Sequence, residues 1–423
     1  QAHDARTQQS RAAAVGGFLQ QLLRSVQPEL GRRDAQVSDV LDAAAGRIQH
    51  DLADQPAVQA ELEGVIGQSY QGLGRYDAAE QHLKTALELR RRVDGSGSVS
   101  AAVGLTQLGE LYLTAGILDS AELMLSQAVA LQHRQAQTPD SLYAAIVSDL
   151  GSVAHRRGHP VDAERLHRQA WAIQRRVLGD RSDVTAQTEI SVAVSVGEQG
   201  HYAAAESLTR AALATLRANH PDPNAGVADA LDVLASELDF EGNVAAADSA
   251  YRATLTLRRQ LLGAEHPDYV STLFNYSMFI FDQKRYREAA DYSRQILALR
   301  GKTLPESHPA IAAALQTLGR SLDQLGDPAG GERALLESLA LRRKYVGPES
   351  WTAASSEGVL GEHYTFLKQY PRAERTLLNA QATFVKALGE GNPRTQVNTR
   401  RLVALYQAWG KPALAAEYQI VAR

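Results

Sequence analysis

The sequence has no cysteine, and among 423 residues only 2 are methionine and 3 tryptophan, with aromatics at 6%. Without cysteine there are no disulfides, no thiolate metal sites and no cysteine nucleophile, while the compartment stays open. No run approaches the length of apolar residues that a membrane-spanning helix needs. An excess of one charge is missing too: 44 basic against 48 acidic side chains leave −4, which argues against a nucleic-acid binder working through bulk charge. Glycine-rich phosphate loops, dinucleotide fingerprints, nucleophile elbows and H-E-x-x-H zinc helices are all absent. The opening Gln1-Ala2-His3-Asp4 has neither an initiating Met nor a signal-like apolar stretch, and reads as a processed chain or a fragment.

What is present is a balanced, alanine-rich composition, 44% hydrophobic and 22% charged, that excludes disorder for the chain as a whole and favours closely packed helices. A period of 42 residues organises it. From Gly74, steps of 42 land on Gly116, Gly158, Gly200, Gly242, Lys284, Gly326, Lys368 and Gly410, so seven of nine registers hold Gly. Five residues on stand Ala79, Ala121, Ala163, Ala205, Ala247, Ala289, Gly331, Ala373 and Ala415, and the next position is acidic in seven of nine. Each Gly marks a helix end that reverses within a few residues, and each small residue lets two helices approach.

The first helix of each unit shows apolar residues at i, i+4, as in Leu108/Tyr112, Leu234/Leu238, Leu318/Leu322, Leu360/Tyr364 and Leu402/Tyr406. Gly95, Gly179, Gly263, Gly347 and Gly389 close the second helices. Three residues later come Ser98, Asp140, Ser182, Asn224, His266, His308, Ser350 and Asn392, six of which are good N-caps, with Pro following at 267, 309 and 393. Period, caps and breakers agree on an all-α solenoid of antiparallel helix pairs.

The arrangement Leu-Gly-x-x-Tyr, then Gly-x-Tyr-x-x-Ala-Glu, then Ala, resembles the tetratricopeptide repeat (TPR), over residues 57–423 in about nine 42-residue pairs. The spacing and the His266-Pro267-Asp268 linker are similar to the long variety in kinesin light chain and bacterial signalling proteins; Lys284, Lys368 and Gly331 depart from it. The resemblance implies a right-handed superhelix whose first helices line a concave groove. Residues 1–56 lie outside the period and read as a helical capping region, one helix through Phe18, Leu19, Leu22 and Leu23 and another through Val37, Val40, Leu41, Ala44 and Ile48. That segment resembles the stretch after the transmembrane helix of bacterial membrane-anchored serine/threonine kinases with TPR ectodomains, although no kinase motif is present here.

Residues two before and two after the Leu register, with those beyond, mark a polar groove: Glu110, Ser148, Ser152, Asp232, Ser236, Asp239, Gln316, Arg320, Asp323 and Glu362. The Lys and Asn of a carboxylate clamp are missing, since Thr106/Glu110 and Asp232/Ser236 stand there. Phe274, Met278 and Phe281 form a second apolar stripe, with Phe240 nearby. They read either as an anchor pocket for a partner helix or as packing against neighbouring repeats, the latter favoured. Leu414, Tyr418 and Val421 make the stripe of the last helix and a candidate end-to-end contact.

His155 and His159 have ligand-like spacing, but Gly158 and Pro160 put the second in a turn and no third ligand follows. The runs Arg90–Arg92, Arg175–Arg176, Arg258–Arg259 and Arg342–Lys344 read as solvated cations at helix C-termini. The expectation is therefore a non-catalytic protein- or peptide-binding scaffold without cofactor, metal, nucleic acid or membrane insertion. The kinase resemblance implies the ectodomain of a bacterial signalling protein, extracytoplasmic or at the cell surface, whereas the repeats alone also permit the cytoplasm. The alternative is a structural subunit that joins end to end into filaments.

Overall fold

A computed structural model describes residues 37–135, 140–220 and 223–421, and among these no strand occurs. The helix through Phe18 to Leu23 lies outside the described residues. The described residues fall into two compact units, divided between Val192 and Ala193. Both are stacks of helix pairs, the arrangement of an α-solenoid.

In the first unit, α1 (Val37–Asp51) precedes the pairs α2 (Pro56–Gly72) with α3 (Tyr76–Asp94), α4 (Val99–Ala115) with α5 (Leu118–Gln135), and α6 (Ser141–Arg156) with α7 (Pro160–Leu178). The unit boundary falls inside α8 (Asp183–Gly197). The second unit continues through α9 (Tyr202–Asn219) and the pair α10 (Ala225–Phe240) with α11 (Val244–Leu262). Next are α12 (Pro267–Asp282) with α13 (Tyr286–Leu297), α14 (Pro309–Gln324) with α15 (Pro328–Tyr345), α16 (Trp351–Phe366) with α17 (Tyr370–Leu388), and α18 (Pro393–Ala408) with α19 (Pro412–Val421).

Within each of these pairs the helices pack on one another, and successive first helices also touch, as α2 does α4, α12 does α14 and α16 does α18. The Leu-Gly dipeptide explains the closeness. A Cβ on Gly109 would lie 2.6 Å from Leu125 Cγ and one on Gly361 2.5 Å from Leu377 Cγ, so the second helix's leucine fills the place of the missing side chain. Ala79, Ala121, Ala163, Ala205, Ala247, Ala289 and Ala373 are fully buried at the small-residue register.

The caps follow the sequence register. Ser98, Asp140, Asn224, Ser350 and Asn392 each accept from a backbone N–H of the first turn. His266 and His308, expected only as linker residues, do the same: their Nδ1 atoms accept from Asp268 N and Ala310 N at 3.2 Å. Lys284 and Lys368 keep the turn that glycine makes elsewhere, with φ of 62° and 59°. Lys284 N donates to Phe281 O at 2.9 Å and Arg285 N to Ile280 O at 3.1 Å, the same pattern as Gly116 and Ile117.

The recurrent acid has a partner that spacing does not reveal. Glu80 accepts from Tyr112 Oη at 2.7 Å and Glu332 from Tyr364 Oη at 3.0 Å, each linking a second helix to the next first helix. Arg372 sits over the Tyr364 ring at 3.9 Å and pairs with Glu332 at 2.9 Å. At the front of the first unit Asp42 takes this part, accepting from Tyr70 Oη at 2.5 Å and Arg75 at 2.9 Å. That contact, with Ala44 and Ile48 buried against the core, seats α1 on the first pair.

The basic runs need a correction. Arg175 is exposed and pairs with Asp180, as expected of a solvated cation. Arg90 and Arg258 are instead 8% and 7% exposed. Arg90 Nη1 donates to Gln107 Oε1 at 2.6 Å, and Arg342 Nη1 to Thr352 O at 2.7 Å. These arginines lie on the inward side of their helix turn, and the next first helix covers them.

Candidate binding groove

The groove positions sit on first helices, two residues either side of the core leucine or its equivalent, and each unit presents its own set. In the first unit Gln68, Glu110 and Ser152 share one register, and Asp149 lies three residues before Ser152 on the same face of α6. Glu110 accepts a hydrogen bond from Gln68, yet burial holds its carboxyl above the ordinary value. Asp149 Oδ2 is sealed from water and has no hydrogen-bond partner among the described residues. Burial, helped by the Glu110 charge, pushes the Asp149 carboxyl up to about 8. Arg156 turns to Leu113 O, to which its Nη1 donates at 2.7 Å.

In the second unit the set begins at Asp229 and Asp232, both bound to Arg258, at 2.7 and 3.4 Å. Arg258 also donates to Thr272 and to Asp268 O, tying α10, α11 and α12 together. Burial raises the carboxyls of Asp229 and Asp232 in spite of that cation. Burial and the neighbouring Asp282 push Asp239 to about 6. Asp282 in turn feels Arg320 and Glu362. Glu362 lies between Arg320 at 3.5 Å and Arg401 at 3.2 Å. Burial opposes its ionisation, but the two cations outweigh that and hold the carboxyl below its ordinary value. Charges thus run from first helix to first helix, acidic at Asp239 and Asp282 and basic at Arg320 and Arg401.

Asp323 does not belong to this groove. It is 7% exposed and both its oxygens lie 2.9 Å from Nδ1 of the buried His363, because its position turns toward α15 and α16. The four apolar candidates also fall into separate settings rather than one pocket. Phe240 is 66% exposed and stacks on Tyr202 with ring centroids 4.9 Å apart. Phe274 is half-buried against the cluster of Val270, Leu273, Ile296 and Leu304. Phe281 is buried beside Tyr286 and under the Arg320 guanidinium at 4.2 Å, while Met278 stays exposed. Local packing accounts for Phe274 and Phe281.

Leu414 and Tyr418 pack half-buried on the last core cluster, Tyr418 stacking on Tyr406 at 5.7 Å; the Val421 side chain lies outside the described residues. Among the described residues no group of three or more His, Asp or Glu is placed to hold a metal ion. No helix among them is long and apolar enough to cross a membrane.

Two profiles of the tetratricopeptide repeat match the sequence, one at residues 58–132 and 270–344, the other at 144–183 and 227–268. The chain is built of tetratricopeptide repeats. No curated protein matches it in sequence. Its TPR fold is similar to the Rap conjugation gene regulator of plasmid pLS20, solved in complex with the Phr* peptide, at 14% identity, covering 79% of this chain and 92% of that one with a TM-score of 0.55. It is also similar to the apo quorum sensor NprR of B. thuringiensis, at 11% identity over 85% and 98% of the two chains, TM-score 0.54. A putative kinesin light chain of Podosopora anserina with nearly identical TPR-like repeats matches at 19% identity over 49% of this chain and 98% of that one, TM-score 0.40.

Sequence reasoning placed Glu110, Asp232, Asp239, Arg320 and Glu362 among the groove positions but missed Asp149, Asp282, Arg258 and Arg401. Asp149 and Arg401 each directly adjoin a Leu-register residue, and such positions on a helix also turn toward the groove.

Proposed function

We propose that this TPR chain is a non-catalytic scaffold that holds a peptide or an extended segment of a protein along its first helices. The observation that carries the reading is the row of groove charges coupled from one first helix to the next, Asp239, Asp282, Arg320, Glu362 and Arg401, an ordered polar surface. The Phr* complex of the Rap regulator supports a peptide as the occupant. The resemblance of residues 11–23 and 37–47 to the juxtamembrane stretch of TPR-bearing kinases supports the ectodomain of a bacterial signalling protein, extracytoplasmic or at the cell surface. End-to-end filaments are the weaker reading, since Leu414 and Tyr418 already pack on their own chain.

Selection of displayed random peptides on the intact chain tests the scaffold reading. Binders are expected in the micromolar range, with cross-links to residues of the first helices α2, α4, α6, α8, α10, α12, α14, α16 or α18. Failure to select any peptide, or cross-links confined to second helices, overturns it. Protease accessibility of the chain in intact cells tests the location, and protection until lysis would refute an outer placement.

A further inference from the structure

The first-unit groove contains a charge arrangement that the fold does not need. Two other carboxylates of this unit have partners: the buried Glu63 meets His82 Nδ1 at 2.6 Å, and the half-buried Glu80 holds Tyr112 and Lys84. Glu110 on α4 is close enough to Asp149 on α6 for its charge to act on that carboxyl, and no described cation is paired with either. Asp149 Oδ2 is shut away from water and unpartnered. Withdrawing a carboxylate oxygen from water without a partner is costly, and carboxyls perturbed by burial beside a like charge cluster at functional sites.

We infer that Asp149 and Glu110 form a receptor subsite for one basic side chain, Arg or Lys, of the peptide or protein segment the scaffold binds. The geometry favours that occupant over a bare cation. Two carboxylates with the Gln68 and Ser152 side chains alongside offer acceptors to a donor group, whereas no third metal-ligating side chain is close. A guanidinium or ammonium on a flexible stem brings its own donors and leaves its charge between the two acids. Asp149 and Ser152 occupy one face of α6 and Glu110 the adjacent position of α4, so the stem would enter from the open side of the groove. The raised carboxyl of Asp149 is what an acid without its counter-ion shows.

The inference rests on the scaffold reading, and the experiment separates the two. Peptides of roughly twelve residues, long enough when extended to cross several first helices, are selected from a random library on the intact chain, on Asp149→Asn and on Glu110→Gln. On the unaltered chain the selected peptides are expected to share a basic residue at one position. Replacing that residue by citrulline or Gln should weaken binding about tenfold or more, the contribution of a charge-assisted hydrogen bond. On Asp149→Asn, whose fold is checked by circular dichroism, the same replacement should change binding less than about twofold. Asp162→Asn, an exposed acid on the second helix α7 and outside the groove, serves as the control and should leave the basic preference intact. Binders with no shared basic position, an equal penalty on Asp149→Asn, or a preference lost on Asp162→Asn instead would overturn the subsite while leaving the scaffold reading standing. A library that yields no binder at all overturns both.

Discussion

The carboxylate of Asp323 occupies the space that a side chain on Gly331 would need: a Cβ there would lie 2.4 Å from Asp323 Oδ1. Every other small-residue register of the repeat has Ala, so Gly331 looks like a lapse in the pattern. It is the condition for the Asp323–His363 pair, which puts a carboxylate and an imidazole, both nearly inaccessible, between α14, α15 and α16. Gly331→Ala, the change that restores the repeat, should therefore destabilise the second unit by about 1–3 kcal/mol through overpacking. Urea unfolding measures it. In an Asp323→Ala background the same substitution should cost less, only the 2.9 Å approach to Gly319 O remaining, and equal costs in the two backgrounds would dismiss the Asp323 clash.

Lys284 and Lys368 predict the opposite sign. Both are exposed and both adopt the left-handed conformation, which costs an L-residue about 1–2 kcal/mol that glycine does not incur. Lys284→Gly and Lys368→Gly should each raise stability, by about 0.5–1 kcal/mol after the greater freedom of glycine in the unfolded chain is deducted. Unchanged or lower denaturation midpoints would show that the lysine side chains contribute more than their strain.

Gly331, Lys284 and Lys368 also mark how far the sequence can be read. The helix pairs, their turns and most caps follow from spacing because they depend on neighbours within one or two turns, and the two lysines could substitute because the surrounding hydrogen bonds hold the turn. Contacts between repeats are harder. The acid after each small residue recurs plainly, yet its bond to a tyrosine 32 residues on, Glu80 to Tyr112 or Glu332 to Tyr364, follows only when the pairs are stacked. Arg258 looks like any helix-end cation until α12 covers it. Phe240 and Phe281 belong to one apolar pattern in the sequence but part company in the fold, one stacked in the open on Tyr202 and one beneath Arg320. Asp149 escaped because it adjoins the core leucine Leu150, where side chains are taken for packing.

His167 stands where Leu83 and Leu125 stand in the earlier pairs, against Gly151 as they are against Gly67 and Gly109. Burial, with the nearby His155, lowers its imidazole from 6.5 to about 4. The folded chain thus takes up this proton later than the unfolded chain does. The stability contribution is full above pH 6.5 and is lost as the pH falls toward 4. His167→Leu should remove that part of the acid sensitivity, so the stability difference between variant and parent should grow by on the order of 2–3 kcal/mol across this window. Denaturation at several pH values measures the difference, and a constant gap would mean that the buried imidazole is protonated with little penalty.

Asp149 gives the converse dependence. Its carboxyl ordinarily ionises near 3.8 but is held up to about 8 in the folded chain. Between those values the folded state keeps a proton that the unfolded state has released, so stability falls as the pH rises through this interval and levels off above it. Asp149→Asn has the same shape without the charge. It should match the parent near pH 4 and exceed it at pH 8 by on the order of 5 kcal/mol, read as a rise of several degrees in the unfolding midpoint. A basic ligand side chain would supply the missing counter-charge and convert that loss into binding. Equal pH slopes for parent and variant would mean that Asp149 already has a counter-ion, and the receptor subsite would lose its physical basis.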